Sequence, residues 1–172
     1  MSAKVLMDVG EYLHTSFDGS DCEYLDGEVV ERNMGELPHG EVQCTLASLL
    51  RQAGRPLGMR VVTEVRIRIS PTRYRIPDVS VWLAGDIGDK IPTKPPFLAI
   101  EVLSPDDRMT RVQPKIAEYL SIGVEWIWVI DPIEKNAICF SQSNPAGTLT
   151  ETLRTENPVI EIPLAKALDF RS

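Results

Sequence analysis

Three side chains in this sequence are of types that can do chemistry together. Asp78 stands in Arg75-Ile-Pro-Asp-Val-Ser-Val-Trp-Leu, Glu101 is the only charged residue of Phe97-Leu-Ala-Ile-Glu-Val-Leu, and Lys115 follows in the next amphipathic segment. An ionised carboxylate among apolar strand residues has to be paired, hydrogen-bonded or bound to a metal, because desolvating it alone is too costly. If the strands carrying Asp78 and Glu101 are neighbours in register, their carboxylates converge. Two hard oxygen ligands so placed suit Mg2+ or Mn2+. A lysine beside them could orient or deprotonate a water and stabilise charge developing on a phosphoryl group. Each residue also has a plainer reading: Asp78 after Pro77 could close a turn, Glu101 could belong to a structural ion pair, and Lys115 could be a solvated helix lysine.

The elements that must position these residues follow from periodicity. Val42, Leu46, Leu49 and Leu50 recur at three and four residues, predicting a helix over Pro38–Ala53, stopped by Gly54 and Pro56. Asp26-Gly27 between two short β-like runs predicts a hairpin. Strict alternation over Met59–Ser70 predicts one half-exposed strand with Val61, Thr63, Val65, Ile67 and Ile69 on a single face. A second strand is expected from Arg75 to Leu83, a loop over Ala84–Pro96, and a strand over Phe97–Leu103 covered on both faces. A helix over about Arg108–Ile122, with Val112, Ile116, Tyr119 and Leu120 inward and Gly123 as its stop, leads to a strand over Val124–Pro132. Strand, helix and strand in that order imply a parallel pair. Short strands are expected near Ala137–Ser141, Leu149–Arg154 and Val159–Ile162. Trp126 and Trp128 read as strand packing.

Composition bounds the classes. At 172 residues and 43% hydrophobic, the chain suits one domain spanning 1–172. No apolar run approaches the roughly 18 residues of a membrane span, and the opening Met1-Ser-Ala-Lys-Val lacks a signal-peptide core, so a cytoplasmic protein without membrane contact is expected. Cys22, Cys44 and Cys139 suggest neither disulfides nor zinc and are expected to be buried or semi-buried. A net charge of -7 argues against coating nucleic acid by bulk attraction. Basic charge is nevertheless concentrated in Arg51, Arg55, Arg60, Arg66, Arg68, Arg73 and Arg75, against Glu64 alone in that segment. That stretch could face a polyanion or be an ordinary solvated surface.

Taken together, Arg75-Ile-Pro-Asp78-Val-Ser-Val, Ile100-Glu101-Val-Leu-Ser-Pro and Lys115-Ile-Ala-Glu-Tyr-Leu-Ser-Ile-Gly-Val-Glu-Trp-Ile-Trp-Val-Ile-Asp-Pro resemble the Uma-two family of endonucleases, within the PD-(D/E)XK superfamily. The resemblance implies an α/β fold with a mixed sheet: a restriction-endonuclease-like core with an N-terminal β-hairpin and C-terminal strands. It also implies a Mg2+- or Mn2+-dependent endonuclease hydrolysing DNA, with Asp78, Glu101 and Lys115 catalytic and Asp78, Glu101 and the carbonyl of Val102 on the metal. The superfamily lysine stands two residues after the second acid, where this chain has Leu103, so Lys115 is its replacement. Arg66, Arg68 and Arg75 are expected to contact substrate phosphates, while His39, Glu41 and Glu64 are accessory candidates whose plainer roles are a helix start for His39 and Glu41 and, favoured for Glu64, surface cross-strand pairing with Arg66 and Arg68. Two further readings are a catalytically inactive nucleic-acid-binding or regulatory module on a nuclease fold, and a structural homodimer with the arginines at its interface.

Overall fold

The computed structural model describes residues 6–19, 21–85, 90–105, 107 and 109–169. The expected Arg108 helix start, the middle of the Ala84–Pro96 loop and the opening Met1-Ser-Ala-Lys-Val lie outside the described residues. Helix α1 (Val9–His14) precedes the hairpin β1 (Cys22–Leu25) and β2 (Glu28–Glu31). Asp26 and Gly27 both have positive φ, 52° and 95°, as a two-residue turn matched to strand twist requires. Helix α2 (Leu37–Gly54) buries Val42, Leu46 and Leu50 and leaves Cys44 exposed. Cys44 thereby departs from its expected burial, because it falls two residues after Val42, off the buried stripe.

The segment read as one alternating strand is two. β3 (Arg60–Thr63) pairs with β6 (Val79–Trp82), whereas β4 (Ile67–Ser70) pairs with β5 (Arg73–Arg75) in a separate sheet. Glu64 marks the break with φ of 54° and donates its N–H to the carbonyl of Asp78, so the ladder ends there. Val61 consequently packs in the α2-side core while Ile67 joins a second core with Val112, Ile116 and Tyr119. The expected Arg75–Leu83 strand is interrupted in the same way, with Ile76-Pro77-Asp78 bridging β5 and β6. Proline supplies no donor for a ladder, which favours that break.

β7 (Leu98–Val102) is buried throughout. α3 (Met109–Ser121) carries the chain to β8 (Trp126–Asp131), which lies parallel to β7. Gly123, with φ of 93°, ends the helix, and Val124 N–H reaches the Tyr119 carbonyl at 3.0 Å. β9 (Asn136–Ser141) and the short β10 (Thr148–Leu149) follow, then a hairpin of β11 (Thr152–Thr155) and β12 (Ile160–Pro163), and α4 (Leu164–Ala167). The central sheet has the order β10-β9-β8-β7-β6-β3, and the N-terminal sheet β2-β1-β5-β4.

Period-two alternation divides the central sheet into two cores. Val79, Val81, Leu98, Ile100, Val102 and Trp128 pack against α2 and the C-terminal hairpin. Trp82, Ala99, Ile127 and Val129 pack against Val112, Ile116 and Tyr119 of α3. Glu101 falls between Ile100 and Val102, so it must point to the α3 side. Among the described residues, no helix is long and apolar enough to cross a membrane.

Candidate active site

Val79 of β6 pairs with Ile100 of β7 in antiparallel register. Continuing that register by one step brings Asp78 beside Glu101. Asp78 is 2% exposed and Glu101 5%. The Asp78 Oδ2 accepts the Val102 N–H at 2.7 Å. Its Oδ1 accepts from the Arg32 guanidinium and faces His39 Nε2 at 3.4 Å. The Asp78 carbonyl takes Gln43 Nε2 at 3.0 Å, fixing the peptide from α2. Burial alone would raise the Asp78 pKa, but His39, Arg32 and the Val102 N–H outweigh it and hold the carboxyl below its ordinary value.

Glu101 goes the other way. Burial pushes its carboxyl up, and the charges of Asp78 and Glu23 add to that push, while Lys115 and Tyr119 pull back without prevailing. Neighbouring carboxyls with pKa values driven apart are a recurrent feature of hydrolytic sites. Lys115 Nζ lies 3.0 Å from Glu101 Oε2 and 3.1 Å from Glu23 Oε1, and the Tyr119 hydroxyl donates to Glu101 Oε1. Burial disfavours the ammonium, yet Glu101 and Glu23 more than compensate and hold Lys115 protonated well above its ordinary pKa. Lys115 is therefore a charged donor and a poor base at neutral pH.

Reading the sequence missed Glu23, Arg32 and Tyr119. Glu23 is 3% exposed on β1, where Arg75 Nη1 reaches its Oε2 at 2.7 Å and the Ile76 N–H its Oε1 at 3.2 Å. The signal that drew attention to Glu101, an acid between buried strand neighbours, was present at Cys22-Glu23-Tyr24 as well. Tyr119 stood in the inward stripe with nothing to distinguish its hydroxyl. Arg32 follows β2 in a segment without regular pattern, so local spacing carried no sign of it.

The other expected residues divide sharply. His39 is buried at the edge of the site, on Asp78. Glu64 is half-exposed with Oε1 3.6 Å from Arg32 Nη1, so its nearest cation is Arg32 rather than the cross-strand arginines. Glu41 is partly exposed on α2, and the cavity beside the carboxylates is lined by other residues. Arg75 is 7% exposed and grips Glu118 at 2.6 Å as well as Glu23. Arg66 lies 4.7 Å over the Tyr12 ring and donates to the carbonyls of Leu13 and Thr15. Arg68 is exposed. Two of the three guanidiniums expected to meet phosphate are thus engaged within the protein.

A cavity of about 110 Å3 opens over these groups, lined among others by Glu23, Arg32, Asp78, Glu101, Val102 and Lys115. Among the described residues no cluster of three or more His, Cys, Asp or Glu side chains is placed to hold a metal ion. The donors that fit a divalent ion are the carboxylates of Asp78 and Glu101 with the Val102 carbonyl. Their all-oxygen chemistry suits Mg2+ or Mn2+, which retain several waters, and the like-charge pressure on Glu101 is the kind a cation relieves.

A family model described as "Putative restriction endonuclease", Uma2, matches residues 9–169. The chain belongs to the Uma2 family. A solved structure with the same fold is that of "a putative nuclease belonging to DUF820 from Anabaena variabilis ATCC 29413", at a TM-score of 0.80 and 21% identity, covering 95% of this chain and 98% of that one. No curated protein matches. Within the Uma2 chain, Leu103 is partly buried and packs into the α3-side core. It is α3, one crossover later, that returns a lysine to Glu101.

Proposed function

We propose that this Uma2 protein is a divalent-metal-dependent endonuclease that hydrolyses DNA phosphodiester bonds, working as one domain. The observation that carries this reading is the Lys115 ammonium 3.0 Å from Glu101, which the register sets beside Asp78. Asp78, Glu101 and the Val102 carbonyl would hold Mg2+ or Mn2+, which when bound supplies Lewis-acid polarisation of a phosphoryl oxygen and a more acidic water. Glu101 is held in place by the Tyr119 hydroxyl and the Lys115 Nζ. Asp78 is oriented by the Val102 N–H, which fixes the carboxylate plane relative to β7. Lys115, kept charged, donates to the attacking water or to a non-bridging phosphate oxygen and offsets negative charge that grows on the phosphoryl group. Glu23 keeps that ammonium aimed inward. Arg68 remains an exposed candidate for contact with flanking phosphates.

A second reading, a silent nucleic-acid-binding module, is favoured by one observation: Arg32 and Lys115 already neutralise the two carboxylates. Incubating supercoiled plasmid with the purified chain and Mn2+ separates the two. Cleavage is expected, falling at least roughly 100-fold in Asp78→Asn and Glu101→Gln and by a factor of about 10²–10⁴ in Lys115→Ala. Cleavage surviving both acid substitutions overturns the assigned site. Salt-sensitive binding with no cleavage under any divalent ion supports the silent module.

A further inference from the structure

Among the described residues, Arg32 is the one cation set directly on Asp78 that belongs to no helix or strand. Its Nη2 donates to Oδ1, its Nη1 lies 3.6 Å from Glu64 Oε1, and its side chain is 14% exposed. A carboxylate offers about four acceptor sites, and three on Asp78 are taken, by Arg32, by His39 and by the Val102 N–H. An ion ligated by Asp78 at about 2.1 Å would share that carboxylate with a guanidinium, which places two positive charges within roughly 5 Å in a partly desolvated site. Glu101, Glu23 and Glu64 also attract the Arg32 charge, and would attract a cation that took its place.

The cavity offers Arg32 somewhere else to go. Asn33 and Arg111 also line it, with Arg111 exposed and its Nη1 3.1 Å from Asn33 Oδ1. A guanidinium is a planar fork that matches two phosphate oxygens. From these contacts we infer that Arg32 is an exchange residue: a divalent ion displaces its guanidinium from Asp78, and the freed guanidinium binds a phosphate of the nucleic acid beside Arg111. This rests on the metal-nuclease reading. It adds to that reading a residue that opposes metal binding and favours substrate binding, two effects that a purely structural arginine does not combine.

The test uses calorimetric titration of Mn2+ into the full chain, and fluorescence anisotropy of a labelled DNA duplex with Ca2+, the duplex being checked on a gel as uncut. Arg32→Gln is expected to bind Mn2+ roughly tenfold more tightly and the duplex roughly tenfold more weakly. Arg32→Lys, which keeps the charge, is expected to recover part of the duplex affinity. Circular dichroism melts confirm folding, and Arg32→Met replaces Arg32→Gln should the latter not fold. Unchanged or weaker Mn2+ affinity in the folded neutral variant overturns the exchange, as does unchanged duplex affinity. Asp78→Asn separates the two levels of failure. If it abolishes Mn2+ binding while Arg32→Gln leaves it unaltered, only the exchange is overturned; if wild type takes up no Mn2+, or Asp78→Asn retains full affinity, the metal-site reading falls with it.

Discussion

Lys115 is held by two carboxylates, and Glu23 is the one that serves it without belonging to the proposed metal set. Burial works against the Glu23 charge, but Lys115 and Arg75 outweigh it and bring the carboxyl below its ordinary pKa. A depressed carboxyl contributes stability that is complete above its unfolded pKa of about 4.3 and is lost as pH falls through the folded value. Glu23→Gln takes one of two carboxylates from each of two buried cations, Lys115 keeping Glu101 and Arg75 keeping Glu118, so it is expected to cost about 1–3 kcal/mol at pH 7. The gap from wild type should close progressively below about pH 4, as urea titrations at stepped pH would measure; a gap independent of pH would remove Glu23 from the ion-pair network. Asp78 and Glu101 could be singled out by residue type and flanking apolarity and Lys115 by the helix that follows them, and the three side chains do converge. What single residues could not reveal was which cations they face. Arg75 and Arg66 looked like surface charges because their partners, Glu23, Glu118 and Tyr12, are dozens of positions away in sequence.

At the level of elements, α3 is the part that brings polar side chains onto the strand carboxylates and arginines. Lys115, Glu118 and Tyr119 lie at i, i+3 and i+4, on one face, and all three side chains engage strand residues, Glu23 and Glu101 for Lys115, Arg73 and Arg75 for Glu118, Glu101 for Tyr119. Val112 and Ile116 seat that face on the sheet against Ala99, Ile127 and Val129. Ile116→Ala is therefore expected to lower unfolding free energy by about 2–5 kcal/mol, and, because Ile116 directly follows Lys115, to reduce cleavage in protein that remains folded at low temperature. A variant that loses stability but retains full turnover would show that α3 holds Lys115 by ion pairs alone. α2 and α3 were legible because each has one dominant period, and β7 because it is an apolar run, whereas α1 and α4 are too short to show a period and were not expected. The strands around residues 59–83 were not: alternation continues through Glu64 to Ser70, while the chain itself changes sheets. Side-chain alternation reports which residues can share a face, and the ladder partners decide where a strand stops.

For the molecule as a whole, one chain brings one set of Asp78, Glu101 and Lys115 to one cavity. The two strands of a duplex run antiparallel, so a single asymmetric site meets the correct attack geometry on one strand at a time. Cutting both strands in one encounter requires a second copy related by a two-fold axis, the arrangement that a closed dimer supplies. The net charge of -7 works against two such chains crowding onto the same short stretch of polyanion unless their contact is itself stable. A chain acting alone should therefore convert supercoiled plasmid to open circles first, with linear DNA appearing after a lag and nicking first order in protein. Sedimentation velocity under the same conditions should give a monomer of about the 19.2 kDa chain mass. Linear product appearing without a lag, together with a species of twice that mass, would place two of these cavities on one duplex and make the dimer the cleaving unit.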